Sequence, residues 1–538
     1  MKYFDLHLHP SLKSSLCINK SAWDTVKIND DAPEWLRGFR NVIDSQANLS
    51  QTVGKYELIV APMVSLERAF AKNLLIKNIL PKHSALNHEL IKDIQHNKVS
   101  YLSSLERDRD TLVNSIAQQP QNVVLVNKIS DYDPNKLNVL LAVEGAHSFK
   151  HGTTDPVENF KKFKDKHRVF YLAITHLSRE EASTHAYGVK VKVGITGKNT
   201  DEEFDDLEIT ALGSSLNFTP EGKGLTPLGA RFIEACLNQP KDKITLVDIK
   251  HMSFYARQYF YQMRIARQWT KIPIIASHTG FTGTSLNGET FVRRMPPSTG
   301  HEITRLKFWR KKGLGNTMFN PWSINLYKED ILTILDSKGL IGLSFDQRIV
   351  GAGKIYPEVF SAKELLKKDP LSLCYYISKS SRNPDKNRYE CWNEVEVGSD
   401  NEESFKDYLQ DILEGEGDLP EVSSITSFIN NLLYVIKVGL LHGYNGTNGK
   451  VHVWDHICIG SDLDGLIDSL DFAHDKYNCV NALTIDLLVE KLRVDIRIMA
   501  KYDPTFDYQI QDIDNKLEKL FYANGVNFTK KFLDGTLF

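Results

Sequence analysis

The chain opens Tyr3-Phe4-Asp5-Leu6-His7-Leu8-His9-Pro10, an apolar run that ends in two histidines one residue apart. Residues two apart on a strand point the same way, so both imidazoles can reach one ion. Alone, the pair reads equally well as polar surface, and its meaning depends on what ends the other apolar runs. Seven more follow: Glu57–Val64, Asn138–Val143, Val169–Thr175, Ile244–Lys250, Ile272–Ser277, Leu340–Phe345 and His456–Gly460. They are nearly continuous in hydrophobicity, the pattern of strands buried on both faces of a parallel sheet.

Helical stretches lie between the runs: Ser65–Leu80 with Ser65 as its cap, Pro156–Asp165, Pro227–Leu237, Ser253–Trp269 and Asn325–Lys338. Strand then helix, repeated, means βα units with right-handed crossovers. Eight such units close into a (β/α)8 TIM barrel. The competing arrangement is an open, doubly wound sheet. An open sheet would spread the strand-end side chains along an edge, whereas a closed barrel gathers them on one face.

Those side chains are metal-ligand types. Run one ends in His7 and His9, run three in Glu144, run four in His176, run five in His251, run six in His278 and run eight in Asp462. Ligand types at so many strand ends favour the barrel over the open sheet and a metal site over polar surface. Glu144 follows an unbroken apolar run, where a bare carboxylate is costly unless paired or coordinated. It suits a bridge between two ions, the alternative being a salt bridge. His251 and His278 are either ligands or satisfied core histidines. Asp462 is a ligand, a general base or a turn former; Asp464-Gly465 beside it looks more like the turn. His176 is first a substrate contact, otherwise a ligand or a structural residue.

Two divalent ions held together lower the pKa of a bridging water and polarise a carbonyl. Asp462 would take the proton from that water and deliver it to the leaving group. No G-x-S-x-G elbow, Walker loop or well-placed G-x-G-x-x-G is present, which argues against a serine hydrolase, a P-loop NTPase and a dinucleotide enzyme.

The organisation expected is one catalytic barrel domain over residues 1–538 with two insertions, 180–224 and 351–447, and a helical C-terminal segment, 480–538. The second insertion holds an acidic stretch, Asn393–Glu416, and an apolar helix, Ser424–Leu441, which is either a homo-oligomer interface or a face packed on the barrel. The clearest C-terminal helix is Leu483–Tyr502.

With 66 basic and 68 acidic residues among 538, the chain carries no electrostatic footprint for nucleic acid or an anionic membrane. No apolar run reaches the roughly 18–20 residues of a membrane span. The N-terminus lacks a signal-peptide pattern, so the expectation is a cytoplasmic protein, or one whose leader has been removed. The six cysteines are far apart without C-x-x-C and read as reduced, buried residues.

Set in order, Leu140–His147 (LLAVEGAH), Leu172–His176 (LAITH), Gly224–Gly229 (GLTPLG), Val247–Ser253 (VDIKHMS), Ile274–His278 (IIASH) and Ile457–Gly465 (ICIGSDLDG) resemble the renal (membrane) dipeptidase family of the amidohydrolase superfamily. The resemblance implies a (β/α)8 barrel, a two-zinc centre and a small-molecule substrate, a dipeptide or other small amide. It puts the metal ligands on His7, His9, Glu144, His251 and His278, the substrate-contacting histidine on His176 and the acidic residue near the attacking water on Asp462. The family usually carries H-x-D at strand one, where this chain has His9. It also places an arginine for the substrate carboxylate after the strand-six histidine; here Arg293 and Arg294 lie farther along. The rival readings are a lactonase, phosphotriesterase-like enzyme or deaminase using the same metal pair, and a barrel that binds a ligand without catalysis.

Overall fold

The computed structural model describes residues 1–33, 36, 40–71, 80–177, 181–186, 224–285, 292–295, 303–308, 311–352, 358–361, 423–472, 479–506 and 510–538, with 69–70, 292–295, 303–308 and 358–361 described by their backbone. Eight parallel strands form the barrel: β1 Tyr3–Asp5, β2 Tyr56–Val64, β3 Leu137–Glu144, β4 Val169–Ala173, β5 Leu246–Asp248, β6 Ile274–Thr279, β7 Leu340–Leu343 and β8 Ile457–Ile459. Each pairs in parallel with the next, β1 to β8 in chain order. The sheet then closes on itself. Leu6 N donates to Ile459 O at 2.8 Å, Asp462 N to His7 O at 2.8 Å and His9 N to Leu463 O at 3.0 Å. All eight runs read from the sequence are these strands. Each is buried along its whole length, as near-continuous hydrophobicity requires of a sheet covered on both faces.

The connecting helices follow their caps. Pro227–Leu237 starts on Thr226, whose side chain accepts from Gly229 N, and Phe254–Ala266 starts on Ser253, which accepts from Ala256 N. Ser65 is not the cap expected of it: its hydroxyl donates to Tyr101 O at 2.6 Å, and the helical turn begins at Arg68. The apolar helix Ser424–Leu441 is long and apolar enough to cross a membrane by length and composition, but it is mostly buried against the barrel. Asn431 fastens it there, accepting from Phe281 N at 2.9 Å and donating to Val350 O at 2.9 Å. It therefore packs on the barrel, the second of the two expectations.

At the C-terminus the helix Ile485–Ala500 lies within the expected Leu483–Tyr502, and the chain ends on Asn524–Leu533. Two features were not anticipated. A strand at Val123–Leu125 pairs with the start of β3 outside the barrel, and Val292–Met295, Ile303–Phe308 and Glu358–Ser361 form a small antiparallel sheet. Most of the 180–224 insertion and the acidic stretch Asn393–Glu416 lie outside the described residues. Cys17, Cys236, Cys458 and Cys479 are buried, and the first three form no disulfide among the described residues; Cys374 and Cys391 lie outside the described residues.

Candidate metal centre

The C-terminal strand ends bring His7, His9, Glu144, His251, His278 and Asp462 around one point. The two N-terminal histidines face each other, Nε2 to Nε2, at 3.0 Å. His251 and His278 do the same at 3.1 Å. Glu144 stands between the pairs. Its Oε2 is 3.5 Å from His7 Nε2 and 3.6 Å from His9 Nε2; its Oε1 is 3.1 Å from His251 Nε2 and 3.7 Å from His278 Nε2. Asp462 spans the same gap, with Oδ1 3.4 Å from His9 Nε2 and Oδ2 3.9 Å from His278 Nε2.

These separations suit a bound cation. Zn–N bonds of about 2.0–2.1 Å at tetrahedral angles put ligand atoms about 3.3 Å apart. Three overlapping donor groups have ligand atoms within 4.8 Å of one another: His7, His9 and Glu144; Glu144, His251 and His278; and His7, His278 and Asp462. Neutral imidazole and ionised carboxylate are the ligand forms. Burial pushes His251 down to about 3 and His278 well below the usual histidine range, so both stay neutral near pH 7. Burial alone would raise Glu144, but His176, His7 and hydrogen bonds from His251 and His7 hold it well below the usual carboxylate range. His9 moves the other way: burial lowers it, and Asp462 with Glu144 raises it more. The residues therefore fit a divalent metal centre.

Neighbouring groups aim the ligands. His7 Nδ1 is 2.7 Å from the Tyr171 hydroxyl, which donates to Leu6 O at 3.2 Å. With the hydroxyl proton so used, His7 Nδ1–H donates to Tyr171 and Nε2 keeps its lone pair for the centre. Ser277 Oγ meets His278 Nδ1 at 2.8 Å. Two buried aspartates repeat one device. Asp5 Oδ1 accepts from His7 N and Ser461 N, tying β1 to β8; Asp248 Oδ1 accepts from Lys250 N and Ser277 N, tying β5 to β6. Burial raises these carboxyls, Asp5 to about 7 and Asp248 to about 6. His251 and Asp462 turn inward on left-handed backbone, φ 66° and 63°. Such conformations cost about 1–3 kcal/mol each away from glycine and cluster at functional sites.

The centre lines a pocket of about 120 Å³ whose wall also includes Glu67, His176, Lys250, Asp346 and Arg348. His176 reaches it from β4, with Nε2 3.8 Å from Glu144 Oε1. Glu67 comes from β2 and Asp346 from β7, the two strands to which the sequence reading gave no site residue. Their shared position becomes visible only with the strand ends that the structure defines. Glu67, His176, His251, Asp346 and Asp462 each stand three residues beyond the last residue of their strand. Lys250 is 1% exposed, and among the described residues its Nζ has one long hydrogen bond, 3.5 Å to Ile324 O. Burial pulls its ammonium down to about 8. Arg348 forks onto Asp346 with Nε at 2.8 Å and Nη2 at 2.5 Å. Arg293 and Arg294 lie in the small antiparallel sheet, and their side chains lie outside the described residues.

Among solved structures, the chain is similar to the probable dipeptidase PvdM from Pseudomonas aeruginosa, at 13% identity and TM-score 0.49, covering 100% of this chain and 96% of that one. It is similar to a metallopeptidase from Rhodobacter sphaeroides liganded with a phosphinate mimic of the dipeptide L-Ala-D-Ala, at 11% identity and TM-score 0.45, covering 100% and 99%. A dipeptidase AC, also a metallopeptidase, matches at 11% identity and TM-score 0.44, covering 99% and 98%. No protein-family model matches the chain, and no curated protein does. The barrel rests on its own strand pairing and the site on its own donor atoms.

Proposed function

We propose that the chain is a metal-dependent dipeptidase with a two-ion centre, zinc being the ion that best suits a set of imidazoles and carboxylates. The observation that carries this is Glu144: each of its oxygens faces a different histidine pair. His7 and His9 with Glu144 would hold one ion, and Glu144, His251 and His278 would hold the other. When bound, such a pair supplies an activated water and a polarised carbonyl. The chain's own residues do the rest. Asp462, 14% exposed at its side chain and spanning the centre, takes the proton of the attacking water and returns it to the leaving amine. His176 contacts the substrate from the pocket wall.

The pocket also argues for an anionic substrate. Lys250 is a buried ammonium whose one hydrogen-bond acceptor among the described residues is distant, with Asp462, Asp346, Asp248 and Glu144 acting on it through space. Arg348 presents its guanidinium on the same wall. Together they suit the free carboxylate of a dipeptide better than a neutral lactone or phosphotriester; the side chains of Arg293 and Arg294, expected in this role, lie outside the described residues.

The test is hydrolysis of a dipeptide panel by protein reconstituted with zinc. Turnover that Arg348→Ala weakens mainly through KM is the expected result. Full zinc without cleavage of any dipeptide would remove the substrate class, and no bound metal would remove the mechanism.

A further inference from the structure

Glu67 belongs to no ligand group, yet it is 1% exposed and lines the pocket. It occupies on β2 the strand-end offset that carries His251 on β5 and Asp462 on β8. Both its oxygens grip the segment after β4. Oε1 accepts from Leu177 N at 3.1 Å, and Oε2 lies 3.1 Å from His176 Nδ1, an ion-pair distance when the imidazole is protonated. The carboxylate thus sits behind the imidazole on its Nδ1 side. The opposite nitrogen, Nε2, faces the centre, 3.8 Å from Glu144 Oε1. The ring also lies edge-on to His251, 4.9 Å between centroids. His176 is 17% exposed at its side chain and Glu67 is 2%, so the histidine is the member of the pair that a substrate can touch.

We propose that Glu67 is a positioning residue for the hydrolysis put forward above, and the inference rests on that reading. It fixes the rotation of the His176 ring so that Nε2 addresses the scissile carbonyl. It also supplies the counter-charge that lets Nε2–H donate to the carbonyl oxygen as that oxygen becomes anionic. Donors aimed at developing charge in a water-poor pocket are worth more there than in water. A carboxylate behind the histidine holds such a donor in place without touching the substrate. The competing role is purely architectural: Glu67 would serve only as an acceptor for Leu177 N.

Glu67→Gln separates the two, because Gln keeps the volume and a neutral acceptor for Leu177 N but removes the charge. The zinc-loaded full chain is assayed on L-Ala-L-Ala and L-Ala-D-Ala as wild type, E67Q, H176A and the double variant, with zinc content and Tm measured beside kcat and KM. The positioning role predicts kcat of E67Q down about 10- to 100-fold with KM within about threefold. It predicts unchanged zinc content and a double variant no slower than H176A. E67Q turning over at the wild-type rate, or slowing H176A further by its full single-variant factor, overturns the inference. Wild type that carries zinc and cleaves neither dipeptide overturns the dipeptidase reading and this inference with it; active wild type with an unaffected E67Q overturns this inference alone.

Discussion

Glu144 is 2% exposed and ends a fully buried strand, and a carboxylate there requires compensation. Two histidine pairs and His176 provide it from different sides. Asp462 lies at the open side of the same cluster, where a proton can be passed. Asp462→Asn should keep the bound metal and lose turnover by at least about 100-fold, the scale of a general base. Metal analysis and kcat on one preparation check this, and retained activity would show that Asp462 is not the proton carrier. Acid should release the ions unequally. Protons compete with metal for the imidazole lone pair. His9, raised by Asp462 and Glu144, takes its proton at higher pH than His251, which burial holds near 3. In the two-ion reading, the ion on His7 and His9 should therefore leave first as pH falls. A colorimetric chelator followed down a pH series should record two separate steps, and one joint step would contradict the assignment.

At the scale of elements, the barrel was legible because parallel strands buried on both faces leave unbroken apolar runs. The helix Tyr101–Gln118 was not read. Its buried face includes Asp108 and Ser115 beside Leu105, Leu112 and Ile116, so the apolar stripe is interrupted. Those polar residues are bonded: Asp108 accepts from Ser11 Oγ, and Ser115 Oγ accepts from Ala22 N. Such pairings join distant segments and leave no local pattern. The same reason hid Glu67 and Arg348, whose partners His176 and Asp346 give them meaning only once the strands are assembled. The candidate ligands were legible because each ends or follows a run. The ties between strands yield two predictions. Asp5→Ala and Asp248→Ala, which touch no metal and remove the shared acceptor, should each weaken zinc binding about 10- to 100-fold in a competition titration. Asn431→Leu should cost about 2–3 kcal/mol in urea unfolding, because it strands the buried Phe281 N–H and Val350 C=O.

For the whole molecule, the closed barrel means that no ligand pair stands on a free edge. His7 and His9 sit where β1 meets β8, and Leu6 N to Ile459 O with Asp462 N to His7 O seals that seam. In the two-ion reading, one ion would tie β1 to β3 and the other β3 to β5 and β6, crosslinking strands that are distant in sequence. The H-L-H at the start of the chain is part of a centre built from most of the barrel. The claim on which everything else depends is that this centre holds two ions bridged by Glu144. Elemental analysis of the zinc-saturated, desalted chain tests it most directly, with Glu144→Ala in parallel. The account predicts close to two zinc per wild-type chain and near-complete loss of both in the variant. One zinc or fewer in the wild type, or two retained without Glu144, would contradict it.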